Sequence, residues 1–104
     1  MIYETMNVPK NIQAIFLDSG APSLPDKDFE RLSPYLTGWN ALNILFIDGV
    51  NEVDLKRLIM MELMGERRQT MVDRLVMRLG RTQRKRIQDS IEKVVRLVPP
   101  TPRN

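Results

Sequence analysis

The fold is decided by residues 51–98, which read NEVDLKRLIMMELMGERRQTMVDRLVMRLGRTQRKRIQDSIEKVVRLV. No proline falls between Leu36 and Val98, so this stretch is free to form uninterrupted helices. Its apolar residues recur three and four positions apart, which is the spacing of one face of an α-helix. The pattern predicts three consecutive helices, near residues 51–64, 70–80 and 82–98.

Capping residues and glycines mark the expected helix ends. Asn51 is suited to cap the first helix and Gly65 to end it. Thr70 and Thr82 are placed to cap the second and third helices, with Gly80 between them. The third helix is expected to bury a stripe made of Ile87, Ile91, Val94, Val95 and Val98.

Upstream of this stretch, the prolines mark two earlier helix starts. Pro9 can open a helix that runs to about Leu17, after an extended arm over residues 1–8. Pro25 precedes Asp26 and Asp28, whose negative charge suits the N-terminal end of a helix dipole.

Residues 38–48 are the most apolar segment, and we expect them to form a buried helix. A β-strand over Asn43–Ile47 is the competing interpretation, because periodicity alone cannot assign a short apolar run. Helix is favoured because the neighbouring segments are helical and no second strand is evident to pair with it.

These patterns predict an all-α fold, a small single-domain bundle of about five to six short helices. Residues 9–98 would form the domain, with an acidic half over 9–50 and basic helices over 51–98. Residues 99–104 would be a flexible, proline-rich tail. No apolar run of about 18 residues and no signal peptide are evident, so we expect a cytoplasmic protein that does not contact a membrane.

The composition argues against an enzyme. The chain has no cysteine and no histidine, which removes thiolate nucleophiles, the commonest general base and the usual zinc ligands. The acidic residues Asp18, Asp26, Asp28 and Glu30 are a possible metal or acid–base set, but Asp26 and Asp28 are better explained as first-turn helix acids. We therefore expect no catalytic residues, no metal and no cofactor.

Charge is distributed unevenly along the chain. Residues 1–54 hold 3 Lys/Arg and 8 Asp/Glu, a balance of −5, whereas residues 55–104 hold 13 and 5, a balance of +8. The asymmetry can attract an acidic partner, hold the two halves of the domain together or order subunits in an assembly.

The first candidate site is a basic set in the second half of the chain, for contact with nucleic acid or with an acidic protein surface. Its members are Arg67, Arg68, Arg74, Arg78, Arg81, Arg84, Lys85 and Arg86. Arginine suits bidentate contacts with phosphate or carboxylate. Arg67 and Arg68 precede a helix start, where free N–H groups favour anions, while Arg74, Arg78 and Arg81 share one helix face. A solvated surface is the plain alternative, because acids such as Asp73 can pair with these arginines.

The outline of residues 51–80 also resembles a helix-turn-helix in its dimensions, with the second helix as the reader. Few Asn, Gln, Ser or Thr residues accompany the arginines there, so contact with phosphates is more plausible than base-specific reading.

The second candidate site is a group of methionines that would form a helix–helix interface in a homo-oligomer. Its members are Met60, Met61, Met64, Met71 and Met77. Methionine adapts to irregular binding surfaces, but it is equally an ordinary core filler, and both interpretations stay open.

In size, helical pattern and lack of Cys and His, the chain resembles the small accessory proteins of phages and plasmids, although no motif carries this resemblance. We therefore expect a small non-enzymatic binding protein that associates with nucleic acid through its basic surface. The alternative is a protein–protein adaptor, inhibitor or structural assembly subunit that uses the same arginines and methionines.

Overall fold

The structure, a computed structural model, describes residues 8–16 and 21–97, except for the side chain of Leu97. In those ranges the protein is all-α, with five α-helices and no β-strand. The predicted arm (apart from Val8), the predicted end of the first helix near Leu17 and the tail over 99–104 lie outside the described residues.

Two of the helices are short and continue as 3-10 turns. Helix α1 spans Lys10–Gln13 and is followed by a 3-10 turn at Ala14–Phe16. Helix α2 spans Asp26–Leu32 and is followed by a 3-10 turn at Ser33–Leu36. The three longer helices are α3 (Trp39–Asp48), α4 (Glu52–Met64) and α5 (Gln69–Leu97).

The predicted ends of α4 are confirmed. The Asn51 side chain accepts a 2.7 Å hydrogen bond from the backbone N–H of Asp54, which satisfies one of the free donors of the first turn. The helix ends at Gly65, whose N–H bonds the carbonyl of Met61 at 2.9 Å. Gly49, at φ 104°, ends α3 in a conformation that favours glycine.

The predicted break at Gly80 is wrong. Residues 69–97 form one helix of 29 residues, rather than two helices over 70–80 and 82–98. Glycine only weakens a helix interior by about 1 kcal/mol, which the surrounding helix formers can offset. Thr82 does not cap a new helix, because its hydroxyl donates to the carbonyl of Arg78 one turn back.

The core is built around α4, which lies against α1, α2 and α5. Leu55 and Leu58 of α4 are fully buried, and Leu75 of α5 packs in the same cluster. Lys56, which the pattern places outside the apolar stripe, is buried, with its ammonium 3.9 Å from the Glu52 carboxylate.

Helix α3 confirms helix over strand for Asn43–Ile47, but it is not buried all round as expected. Leu42 and Leu45 enter the core, whereas Ile44 and Ile47 are exposed, Ile47 to 83%. One face of α3 therefore remains on the surface, because the 3-10 turn at Ser33–Leu36 and the core cover only the other.

The predicted buried stripe of the last helix is also wrong within the described residues. Ile87, Ile91, Val94 and Val95 are all more than half exposed. Because α5 is a single helix about 43 Å long in a molecule 58 Å in its longest dimension, its last turns extend past the packed helices.

Ion pairs link α2 to α4 and α4 to α5. Arg31 of α2 donates to Asp28 and Asp54 at 2.9 Å each, and these hydrogen bonds raise the pKa of Arg31 above its usual range. Arg57 lies 3.0 Å from Asp54, and Arg86 lies 2.8 Å from Glu52. Across the described residues, no helix is both long and apolar enough to span a membrane.

Candidate functional site: an arginine-lined groove between α3 and α5

A groove of about 540 Å³ lies between the exposed face of α3 and the middle of α5. Its lining residues come from both helices: Asn43, Phe46, Ile47, Arg74, Met77, Arg78 and Arg81. The three arginines are four and three residues apart on α5, so they form a row along one side of the groove, as the sequence predicts.

Arg74 and Arg78 are held in place by neutral groups of α3. Arg74 donates to the side-chain oxygen of Asn43 at 2.8 Å, and Arg78 donates to the carbonyl of Phe46 at 2.9 Å. Both guanidinium groups lie over the Phe46 ring, at 5.9 and 5.2 Å from its centroid, and Arg74 also lies 5.8 Å from the Trp39 ring. These contacts position the guanidinium groups without neutralising their charge.

Arg81 completes the row and is exposed. No carboxylate is among the residues that line the groove, all of which belong to the described part of the chain. Three positive charges therefore face a common space whose described walls carry no acidic side chain, which is the electrostatic condition for binding an anion.

Arg68, another predicted site residue, is committed to internal structure. Its guanidinium donates to the buried Glu62 carboxylate at 2.7 and 3.1 Å, and to the Leu36 carbonyl at 2.6 Å. These bonds lower the pKa of Glu62 and raise the pKa of Arg68. Arg68 precedes the N-terminus of α5 as expected, but its charge is already paired.

Arg86 is committed in the same way. It donates to Glu52 at 2.8 and 3.4 Å, and Gln83 donates to the same carboxylate at 3.2 Å. Burial would raise the pKa of Glu52, but the hydrogen bonds from Arg86 and Gln83 outweigh it and lower that pKa. Arg86 therefore anchors α5 to the start of α4.

The remaining members of the basic set are exposed but lie outside the groove. Arg67 adopts φ 54° in the loop before α5, and its side chain donates to the Leu63 carbonyl at 2.7 Å. Arg84 and Lys85 lie on α5 one turn beyond Arg81 and are exposed. They extend the positive surface from the groove toward the end of the helix.

Most of the methionine set lies in the core. Met60, Met61 and Met71 are buried, and Met64 is half-buried against the same cluster. Their side chains pack in the core around α4 and α5 rather than facing solvent, as ordinary core methionines do. Met77 is the exception, because it is exposed and lines the groove.

The acidic set gives no metal site in the described residues. Asp26 and Asp28 lie in the first turn of α2 as predicted, and Asp28 pairs with Arg31 and Arg57. Throughout residues 8–16 and 21–97, no three acidic side chains are arranged to hold a metal ion. Asp18 lies outside the described residues.

Sequence reasoning missed the α3 side of the groove. Asn43, Phe46 and Ile47 were expected in a buried segment, yet they form its second wall. A signal was available in part: residues 38–48 are apolar on more faces than one small core can bury.

Comparisons with models of protein families, with curated proteins and with solved structures found no match for this chain.

Proposed function

We propose that this protein is a non-enzymatic, cytoplasmic, nucleic-acid-associated protein whose groove between α3 and α5 binds the phosphate backbone. The observation that carries the proposal is the row of Arg74, Arg78 and Arg81, whose groove has no carboxylate among the described residues that line it. Arginine forms strong, bidentate contacts with phosphate oxygens.

The spacing of the row suits a linear polyanion. From Arg74 to Arg81 the helix rises about 10 Å, at 1.5 Å per residue. One strand of B-form DNA carries about one phosphate per 3.4 Å of helix axis, hence about three phosphates over the same length. Three guanidinium groups can thus each meet one phosphate.

The aromatic residues beside the row add a second kind of contact. Trp39 is 43% exposed and lies against Arg74, and the Phe46 ring packs under Arg74 and Arg78. Aromatic faces beside a cationic track stabilise nucleic-acid bases by stacking, and they do so with little sequence preference. We therefore propose phosphate contact with weak base reading.

An acidic protein surface is the second candidate ligand of the same groove. It is favoured by the apolar side chains of Met77 and exposed Ile47, which a protein partner would cover. In this form the protein would be an adaptor, inhibitor or assembly subunit of the kind that phages and plasmids encode.

The test is the salt dependence of binding to a labelled oligonucleotide, measured by fluorescence anisotropy. Three phosphate contacts predict a slope of log affinity against log salt of about −2.7 for duplex DNA, hence roughly a 40-fold loss between about 50 and 200 mM salt. The variant Arg81→Gln should weaken binding and reduce the slope by about 0.9.

The matched control is Arg96→Gln, which removes the same charge from an exposed position near the end of α5, outside the groove. It should bind like the wild type. Absence of binding at low salt would contradict the proposal. Equal losses from both variants would refute the groove as the site. Arg81-dependent binding of poly-glutamate without nucleic-acid binding would establish the second candidate instead.

A further inference from the structure

The end of α5 carries an uncovered apolar stripe. Among the described residues, the last hydrogen bond between this helix and another helix is made by Arg86, and every residue from Ile87 to Arg96 is exposed. Ile87, Ile91, Val94 and Val95 are 51%, 57%, 58% and 67% exposed. Branched apolar side chains in a continuous row are unusual on a free surface and indicate a partner.

The spacing of the stripe is that of a coiled-coil seam. Ile87, Ile91 and Val94 are four and three residues apart, and Val98 follows four residues later in the sequence. Val95 lies beside the seam and widens it. An apolar row of about two heptads is long enough to pack against one partner helix.

The charges around the seam identify the occupant. The positions that flank it in the described residues are Gln83, Gln88, Ser90 and Val95, none of which is charged. Residues 81–97 hold 6 Lys/Arg and 2 Asp/Glu, a balance of +4, but their charges from Lys85 to Arg96 lie away from the seam. Cations at the flanking positions would favour an acidic partner helix. The flanking positions here are neutral, so two identical basic helices can pair along the seam without repulsion.

We propose that a second copy of this chain covers the stripe, so that the ends of two α5 helices pair in an antiparallel coiled coil. The antiparallel direction of the pair follows from Arg84, which lies in line with the seam three residues before Ile87. A parallel pair would set two Arg84 side chains against each other. An antiparallel pair centred between Ile91 and Val94 places the two Arg84 side chains at opposite ends of the paired region, and it also aligns the two helix dipoles in opposite directions, which is favourable. This inference does not depend on nucleic-acid binding.

Sedimentation velocity of the full chain, at concentrations from micromolar to submillimolar, tests the pairing. A seam of two heptads is a small interface, so the proposal predicts a concentration-dependent equilibrium. The average mass should rise from 12.1 kDa toward twice that value. A wild-type protein that stays monomeric at every concentration would overturn the proposal.

A matched pair of variants separates the stripe from net charge. Ile91→Lys places a charge in the seam and should abolish the dimer, whereas Asp89→Asn raises the net charge by the same unit outside the seam and should leave it intact. Circular dichroism should show the helix content retained in both. A dimer that survives Ile91→Lys would overturn the assignment of the interface.

The direction is tested by a distance between spin labels. The chain has no cysteine, so Val76→Cys provides a single labelling site on the exposed surface of α5. The antiparallel pair predicts labels about 50 Å apart, from 1.5 Å per residue along the helix axis. A separation within about 20 Å, as two parallel helices 8–10 Å apart would give, would overturn the antiparallel arrangement.

Discussion

At the scale of single residues, the Glu62 carboxylate links three parts of the fold. Its side chain is 3% exposed, and it accepts hydrogen bonds from the backbone N–H and the guanidinium of Arg68. Arg68 also donates to the Leu36 carbonyl, so α4, the loop before α5 and the 3-10 turn at Ser33–Leu36 meet at one point. The buried carboxylate is tolerable because it accepts three hydrogen bonds from Arg68, whose guanidinium also balances its charge.

Replacing this carboxylate should destabilise the fold in a pH-dependent way. Glu62→Gln removes hydrogen bonds to a charged group and should lower the free energy of unfolding by about 2 kcal/mol at pH 7. Arg68 lowers the pKa of Glu62, so this stabilisation is present above the ordinary glutamate pKa of about 4.3 and is lost as the pH falls through the lower, folded-state value. Urea titrations at several pH values should show the difference between wild type and variant narrowing below about pH 4.

The matched control for this prediction is Glu66→Gln. The Glu66 carboxylate lies 3.1 Å from the same Arg68, but its side chain is 73% exposed. An exposed ion pair contributes less than about 1 kcal/mol, so this variant should be close to wild type at every pH. A Glu62→Gln variant as stable as Glu66→Gln would contradict the role assigned to the buried pair.

An arginine is available to bind an anion when its partner within the protein is neutral, and unavailable when that partner is a carboxylate. Arg68 and Arg86 meet carboxylates, whereas Arg74 and Arg78 meet neutral oxygens. The sequence cannot distinguish these cases, because the partners lie 31 to 34 residues away along the chain for three of the four arginines. Only the fold separates structural arginines from those with uncompensated charge.

At the scale of helices, continuity of α5 decides how far the stripe reaches beyond the body. Gly80 lies in the interior of this helix, and apart from its chain neighbours and the nearby helix backbone no heavy atom lies within 4 Å of the place where its Cβ would be. The described surroundings of Gly80 do not require a glycine. The helix therefore continues through this position although glycine has a low helix propensity.

Gly80→Ala should therefore stabilise the protein. Alanine is favoured over glycine in a helix interior by about 0.8–1.0 kcal/mol, and the open surroundings accept the methyl group. Urea unfolding of the variant should show an increase of about that size. As a comparison, Gly65→Ala should destabilise, because its Cβ would lie 3.1 Å from the Met61 carbonyl. A loss of stability in Gly80→Ala would indicate a helix break at that position.

Local signals predicted the ends of α4 better than the continuity of α5 or the burial of its last turns. Asn51 caps α4 as expected, because the capping hydrogen bond spans only three residues. The break at Gly80 was wrong because a single glycine weakens a helix without ending it. The burial of Ile87 and Ile91 was wrong because apolar spacing identifies a face that needs cover, but not whether this chain or another supplies it.

At the scale of the whole molecule, the charge asymmetry has a structural use. Carboxylates of the first half pair with cations of the second, as Asp28 does with Arg57 and Glu52 with Arg86. These pairs hold α2, α4 and α5 together and use up the acidic residues near them. The cations left without a carboxylate partner include the row in the groove, so the same asymmetry also supports binding of a polyanion.

The candidate site was predictable on one side only. The row of Arg74, Arg78 and Arg81 follows from helical periodicity, which the sequence displays directly. The opposite wall, with Asn43 and Phe46, depends on how α3 packs, which the excess of apolar residues over 38–48 indicates only in part. Similarly, Met77 differs from the buried Met71 only through its position relative to α3 and α4.

The most direct measurement of the central claim, that nucleic acid binds in the groove, is an NMR titration of the arginine side-chain Nε–Hε groups. Adding an unlabelled oligonucleotide at low salt should shift the signals of Arg74, Arg78 and Arg81. The signals of Arg68 and Arg86, which remain bonded to Glu62 and Glu52, should stay in place. Shifts confined to Arg84 and Arg96, with the three groove signals unchanged, would contradict the account.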